Sequence, residues 1–209
     1  MKDWVKKMGK AFTENEKIEV QEKLRRTGLR LLAEEGIRRV SIRELTKEAG
    51  IAQGGFYTFY KDKDDFIMDL MCLRVREKTD IMYQEREKTL EDPKDFIAQV
   101  FYKEGMHLKK NMAFKNSESD TISFWQNSSR NGNHMIGETY LAFLKNMISY
   151  WEENGYRIEC DAEGLLNAGA AAGLLFSNAD MLEEKYFEEI YKVFCEAEVS
   201  RFFKAVRFN

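Results

Sequence analysis

Apolar residues recur at helical spacing near the start of the chain. The positions i, i+4, i+7 and i+8 of this pattern belong to one helix face and are occupied by Leu24, Gly28, Leu31 and Leu32. The pattern predicts an amphipathic helix over about residues 15–35, and Gly36 ends it because glycine adopts the conformation that closes a helix.

Two much shorter helices follow. Ser41 is a plausible N-cap, and Glu44 three residues later completes a capping box, so a helix begins here and Gly50 ends it. A second short helix is predicted from about Gln53 to Phe59. Two short helices joined by a tight turn that contains glycine, with longer helices before and after them, form a helix-turn-helix pattern.

The rest of the chain also favours helices. Asp62 or Asp64 is suited to cap a long fourth helix through Phe66 and Leu70. Pro93 suits the first turn of the next helix. Further helices are predicted near 118–128, 135–153, 162–180 and 184–205. We therefore expect an all-α protein of about nine helices.

Composition and charge sharpen this prediction. Hydrophobic residues make up 44% of the chain and there is one proline, which supports a helical core. Residues 1–63 hold 15 Lys/Arg against 10 Asp/Glu, a net charge of +5, whereas residues 64–209 hold 18 against 26, a net charge of −8. This asymmetry predicts a polyanion partner for the N-terminal part alone.

Several classes of protein are not indicated by the sequence. No apolar run approaches the length that spans a bilayer, and no secretory leader is visible, so we expect a cytoplasmic protein with no membrane partner. The three cysteines have no metal-ligand spacing, which suits a reducing compartment. We expect no metal site, no cofactor and no catalytic residues, because no catalytic motif is present.

The helix-turn-helix region resembles the TetR family of tetracycline-repressor-like transcriptional regulators. The resemblance covers residues 24–67, about the first third of the chain, and is carried by Leu29-Arg-Leu-Leu-Ala-Glu-Glu-Gly-Ile37, Ser41-Ile-Arg-Glu-Leu45, Ala49-Gly-Ile51, Gly54-Gly-Phe-Tyr57 and Tyr60-Lys-Asp-Lys63. It implies a DNA-binding domain over residues 1–63 and a helical domain over residues 64–209 for effector binding and dimerisation, joined by the long fourth helix.

The resemblance and the residue chemistry together suggest which side chains contact DNA. The start of the second short helix is expected in the major groove, where Gln53 can form two hydrogen bonds to adenine. Tyr57 and Lys63 resemble the family's phosphate-binding residues. The full set that we expect at the DNA is Ser41, Arg43, Gln53, Gly54, Gly55, Tyr57, Thr58 and Lys63.

Gln53 and the two glycines that follow it also fit a purely structural role. Gln53 could be a solvated residue of the turn. Gly54 and Gly55 weaken a helix by about 1 kcal/mol each relative to alanine, so their presence calls for a reason. Close approach of the backbone to a phosphate is one reason, and a tight turn is the other.

The C-terminal domain has two further candidate sites. An adaptable apolar pocket for a small molecule is expected around His107, Phe124, Trp125, Tyr140, Phe143 and Met147, although each of these residues also suits an ordinary core. A homodimer interface, as the family resemblance implies, is expected at Gly169, Gly173, Phe176, Ile190 and Phe194. Packing within one chain is the alternative for these residues.

The sequence thus predicts a ligand-responsive transcriptional regulator and not an enzyme. We expect a repressor that binds a palindromic double-stranded DNA operator as a dimer and is released by a small molecule. The alternative is a cytosolic helical ligand-binding protein or enzyme that has lost DNA binding. The operator, the effector and the regulated genes do not follow from the sequence.

Overall fold

The computed structural model describes residues 12–112, 124, 127, 134–176 and 179–208. The chain divides into two compact units, which we call the head (Met1–Leu70) and the body (Met71–Asn209). The finer boundary expected between residues 63 and 64 stays a prediction.

The head contains the predicted succession of one long and two short helical segments. These are α1 (Glu14–Glu35), a 3-10 helix at Ile37–Arg39, α2 (Ile42–Ala49), a second 3-10 helix at Gln53–Thr58 and the start of α3 (Lys63–Gln84). Gly36 and Gly50 end α1 and α2 with positive φ angles of 81° and 72°, as expected of glycine at these positions.

One predicted capping box is wrong. Ser41 occupies the N-cap position of α2 but its side chain makes no capping hydrogen bond. Glu44 lies 3.5 Å from the Arg30 guanidinium instead, which draws its carboxylate toward α1. A capping box that we did not predict lies at α1, where Thr13 accepts from the Glu16 N–H at 3.3 Å and the Glu16 carboxylate accepts from the Thr13 N–H at 2.9 Å.

The core of the head is built around the start of α3. Asp62 caps this helix, since the Asp65 N–H donates to Asp62 Oδ1 at 2.8 Å. The fully buried apolar side chains of the head come from α1, α2, the second 3-10 helix and α3, and include Leu24, Leu31, Leu45, Phe56, Phe66, Ile67 and Leu70. Their packing fixes the geometry of the two short helices.

The body consists of helices and one small sheet. In chain order its elements are a 3-10 helix at Arg86–Leu90, α4 (Pro93–Met112), α5 (Met135–Glu153), β1 (Tyr156–Cys160), α6 (Ala162–Phe176), a 3-10 helix at Ala179–Met181, α7 (Glu184–Phe202) and β2 (Phe203–Arg207). Pro93 is the first residue of α4, as predicted, and α5 matches the helix expected at 135–153.

The antiparallel pair of β1 and β2 corrects the helix prediction for 184–205. Tyr156 lies opposite Arg207 and Cys160 opposite Phe203, so the helix predicted to run to residue 205 ends at Phe202. The strand at β1 was not predicted at all. The helix predicted over 162–180 ends at Phe176. Pairing with a distant segment, and not local helix propensity, decides the conformation of residues 203–207.

Trp151 lies at the centre of the body's larger core. Its ring is fully buried between the rings of Phe96 and Phe203, with centroids 6.1 and 5.6 Å away, and its Nε1 donates to Thr89 Oγ1 at 2.7 Å. A second cluster joins α6 to α7 through Ala172, Phe187, Tyr191 and Cys195. The all-helical fold class is confirmed, with the two-stranded sheet as an addition.

Some predictions fall on residues outside the described ranges. They concern residues 1–11 of the expected DNA-binding domain, most of the helix near 118–128, Trp125, and the side chains of His107 and Phe176. In the part of the chain that the structure describes, no helix is long and apolar enough to cross a membrane. Within those same ranges, no three side chains of the metal-ligating types come together.

Candidate nucleic-acid interface

The 3-10 helix Gln53–Thr58, which we call the recognition segment, presents its polar side chains to solvent. Gln53, Gly54 and Thr58 are exposed, and Tyr57 is 57% exposed. Phe56 is fully buried, and its ring meets the ring of Tyr57 edge-on with centroids 5.5 Å apart. The segment therefore offers hydrogen-bonding groups on one side and is anchored in the core on the other.

A polar network fastens the residues behind the recognition segment. The hydroxyl of Tyr60 donates to Asp69 Oδ2 at 2.8 Å, and Arg25 donates to both oxygens of Asp69 at 2.7 and 2.8 Å. Burial and the Asp69 carboxylate raise the pKa of Tyr60, so its hydroxyl stays a donor. The network was not predicted from the sequence, because Arg25 and Asp69 are 44 residues apart in the chain.

The two glycines of the recognition segment are not explained by a left-handed turn. Neither has a positive φ angle, which among the described residues is confined to Gly36, Gly50 and Gly155. A Cβ added at Gly54 would meet nothing within 4 Å, and one added at Gly55 would lie 3.4 Å from Ile51. Open space in front of Gly54 leaves room for another molecule to approach its backbone.

Charged residues of the head fall into two groups. On α1, the Arg30 guanidinium lies 2.9 Å from Glu34 and 2.8 Å from Glu48, so intramolecular carboxylates neutralise it. On α2, Arg43 is exposed and has no ion-pair partner within the described part of the chain. Ser41, two residues before Arg43, is half-buried, and its hydroxyl makes no capping hydrogen bond.

Lys63 makes a contact that the sequence did not predict. Its Nζ donates to the backbone oxygen of Arg38 at 3.1 Å, which ties the start of α3 to the 3-10 helix after α1. Burial lowers the pKa of Lys63 from its ordinary value. An ammonium has three donors, so this bond leaves donors for a second acceptor.

Comparison with known proteins agrees with this geometry. Residues 24–69, which contain the recognition segment and the Tyr60 network, match the family described as bacterial regulatory proteins, tetR family. Residues 24–69 thus form a TetR-family domain. No curated protein matches the chain.

Two solved structures are similar to this chain over most of its length. A TetR transcriptional regulator from Rhodococcus sp. RHA1 is 16% identical, with a TM-score of 0.63 over 88% of this chain and 97% of that one. RolR in complex with resorcinol is 16% identical, with a TM-score of 0.56 over 91% of this chain and 90% of RolR. The chain thus has the fold of a TetR-family transcriptional regulator, with the family's DNA-binding domain near its N-terminus.

The body of the chain contains an open cleft of about 350 Å³. One wall is a face of α3 and the other a face of α5, and the lining includes Arg76, Thr79, Asp80, Tyr83, Glu138 and Phe143. The Arg86 guanidinium lies 4.5 Å from the centre of the Tyr83 ring and 4.9 Å from that of Tyr150. This stacking holds the Tyr83 ring at the end of the cleft.

The predicted pocket residues are only partly brought together. Phe143 lines the cleft, whereas Met147 is fully buried in the core around Trp151. Tyr140 is half-buried, and burial together with the nearby Glu104 carboxylate raises its pKa to about 12. Phe124 is also half-buried. The spacing of the α3 lining residues at i, i+3, i+4 and i+7 was the signal that could have found that wall.

The residues predicted for a dimer interface differ in burial and in their contacts within the chain. Gly169 faces α4 within the chain, because a Cβ added there would lie 3.7 Å from the Phe101 ring. Gly173 and Phe194 are half-buried, and Phe194 packs against the α6–α7 cluster. Ile190 is 47% exposed on α7. Its exposed apolar neighbours on the same helix are Tyr186 and Val193, which the prediction did not include.

Proposed function

We propose that this protein is a cytoplasmic, ligand-responsive transcriptional repressor that binds a palindromic DNA operator as a homodimer and is released by a small molecule. The DNA contacts would come from Ser41, Arg43, Gln53, Gly54, Gly55, Tyr57, Thr58 and Lys63. The observation that carries the proposal is the recognition segment, whose polar groups are exposed on a firmly packed support.

The chemistry of the segment fits a nucleic acid. Gln53 presents an amide that can pair with an adenine edge, and the Tyr57 hydroxyl can donate to a phosphate oxygen. Gly54 leaves space for the DNA backbone. The buried Phe56 and the Arg25–Asp69–Tyr60 network fix the backbone that carries these groups, which lowers the entropy lost on binding.

An exposed apolar face on α7 supports the homodimer. Tyr186, Ile190 and Val193 follow one another at i, i+4 and i+7, so they lie on one side of the helix, and each is 47–58% exposed. Phe187 and Tyr191, on a different side of α7, are buried within the chain. A second copy of α7 would cover the exposed face, and a two-fold dimer would present two recognition segments about 34–36 Å apart to successive major grooves.

The cleft between α3 and α5 is the candidate effector site. RolR, which shares the fold, was solved with resorcinol, so a small molecule is a reasonable occupant of such a body. α3 begins at Lys63, among the proposed DNA contacts, and also supplies Thr79 and Tyr83 to the cleft. A ligand that favours one position of α3 would thereby favour one spacing of the recognition segments.

Selection of bound sequences from random duplex DNA tests the proposal. We expect one enriched motif with two-fold symmetry, bound with an affinity that falls steeply as salt concentration rises. A motif without symmetry would contradict the dimer. A chain that enriches no sequence and binds no duplex would contradict DNA binding and leave a helical ligand-binding protein.

A screen of small molecules on the recovered duplex tests the effector half. A compound that raises the melting temperature of the protein and releases the duplex is the expected result. Asp80→Asn and Glu138→Gln should change the affinity for that compound without changing the affinity for DNA. A compound that releases DNA equally well from both variants would place the effector site elsewhere.

A further inference from the structure

Residues 37–40, Ile-Arg-Arg-Val, form a tight turn with buried ends and exposed arginines, which we call the arginine turn. Ile37 and Val40 are only 6% and 2% exposed, whereas Arg38 and Arg39 are exposed. The Val40 N–H donates to the Ile37 oxygen at 3.3 Å. Two buried apolar anchors thus fix the backbone from which the arginine side chains project.

The arginine turn is fastened to the start of α3. Lys63 Nζ donates to the Arg38 oxygen at 3.1 Å, across 25 residues of sequence. Lys63 follows the recognition segment by five residues, so this bond places the arginine turn beside the chain that leads out of that segment. An arginine held here would extend the proposed DNA-binding surface beyond the recognition segment.

The charge of Arg39 is also available. Arg25 and Arg30 on α1 are engaged by carboxylates of Asp69, Glu34 and Glu48. Arg39 has no carboxylate within 4.0 Å among the residues of the described ranges. A guanidinium that is exposed, uncompensated and carried on a fixed backbone is suited to bind a phosphate group through two parallel hydrogen bonds.

We propose that Arg39 is a further phosphate contact of the DNA complex and that Lys63 orients it through the backbone of Arg38. The inference rests on the proposed function, since it adds a contact to the same DNA-binding surface. It gives Lys63 the role of a positioning residue in addition to any phosphate that its own ammonium binds. Arg39 would strengthen binding to all sequences alike, because phosphates carry no sequence information.

The salt dependence of DNA binding tests the contact. Each phosphate contact contributes about 0.9 to the slope of log K against log salt concentration. On the duplex recovered by selection with wild-type protein, Arg39→Gln should make the slope shallower by about 0.9. Arg26→Gln is the matched control, because Arg26 is exposed on α1 and has no ion-pair partner in the described structure. Equal slopes for Arg39→Gln and wild type would overturn the inference.

A double-mutant cycle tests the positioning role. Lys63→Met should weaken DNA binding by a larger factor in the wild-type background than in the Arg39→Gln background, with a difference of at least about twofold. Lys63→Arg, which keeps a donor for the Arg38 oxygen, should restore most of the slope. Equal factors in the two backgrounds would show that Lys63 does not act through Arg39.

Two results separate failure of the inference from failure of the proposed function. If wild-type protein binds no duplex, the proposed function fails before any variant is compared. If wild-type protein binds and only the Arg39 and cycle results are negative, the function stands and the inference falls. Circular dichroism melting of each variant excludes unfolding as the cause, and Arg39→Lys gives a second variant that keeps the charge but loses the planar fork.

Discussion

Two neighbouring residues of the recognition segment differ in their exposure to solvent. Phe56 is fully buried, and Tyr57 is 57% exposed although its ring touches that of Phe56. An exposed tyrosine contributes little to stability, so its position on the surface is consistent with a role in binding. The sequence indicates the same division, because Tyr57 is offset from the apolar face that Phe56 and Tyr60 form.

Tyr57→Phe should weaken DNA binding without affecting stability. The substitution removes one hydroxyl that we expect to donate to a phosphate, a charge-assisted hydrogen bond worth about 1.5–3 kcal/mol. Fluorescence anisotropy on the selected duplex should show a loss of roughly tenfold or more. Tyr150→Phe on α5, a half-buried ring outside the proposed DNA contacts and the proposed dimer face, is the control and should bind as wild type. Unchanged affinity of Tyr57→Phe would remove this residue from the interface.

Gly28→Ala should destabilise the head. A Cβ at this position would lie 2.5 Å from Phe66 Cζ and 2.8 Å from Leu70 Cδ1, so the buried rings and methyl groups would have to move. Overpacking of this kind costs about 1–3 kcal/mol. Gly137→Ala on α5 meets nothing within 4 Å and should raise the free energy of unfolding by about 0.5–1 kcal/mol. Urea denaturation measures the free energy of unfolding of both variants. A Gly28→Ala variant as stable as wild type would contradict the packing around Gly28.

At the scale of elements, the ends of helices could be predicted from the local sequence, whereas the strands could not. Gly36, Gly50 and Pro93 mark helix ends and starts that the sequence predicted. The strand β2 could not be predicted, because Phe203 continues the helical spacing from Val199 and only pairing with β1 makes it extended. The Lys63–Arg38 bond likewise depends on how distant segments pack.

The N-cap of α3 gives a prediction at this scale. The Asp65 N–H donates to Asp62 Oδ1 at 2.8 Å, so Asp62→Ala removes a capping acceptor and should lower the free energy of unfolding by about 1 kcal/mol. Asp62→Asn keeps an acceptor and should lose much less. Thermal melting followed by circular dichroism compares the two variants with wild type. If Asp62→Ala melted at the same temperature as wild type, the cap would contribute nothing to the start of α3.

For the whole molecule, the proposed homodimer gives a prediction for the exposed face of α7. Ile190→Asp places a charge at the centre of this apolar face and should convert dimers to monomers, because a buried unpaired carboxylate is costly. Ile81→Asp on α3 is the control, since Ile81 is 61% exposed on another helix. Sedimentation equilibrium measures the oligomeric state of both variants. A dimer that survives Ile190→Asp would place the interface on a different surface.

The sequence shows the charge asymmetry of the whole molecule but not which charges are neutralised within it. Residues 1–63 carry the positive charge and residues 64–209 the negative charge. The structure adds that Arg25 and Arg30 of α1 are neutralised within the head. Arg26, Arg39 and Arg43 have no ion pair in the described ranges. A charge count cannot distinguish these groups, because it contains no information on which carboxylates lie near each arginine.

The most direct test of DNA binding by the recognition segment compares wild-type protein with the double variant Gln53→Ala/Tyr57→Phe on the selected duplex at constant ionic strength. Both changed side chains are exposed, so the melting temperature should not change. We expect the dissociation constant of the variant to rise about a hundredfold, from the loss of one base contact and one phosphate contact. A variant that binds the duplex as tightly as wild type would contradict the claim that the recognition segment binds DNA.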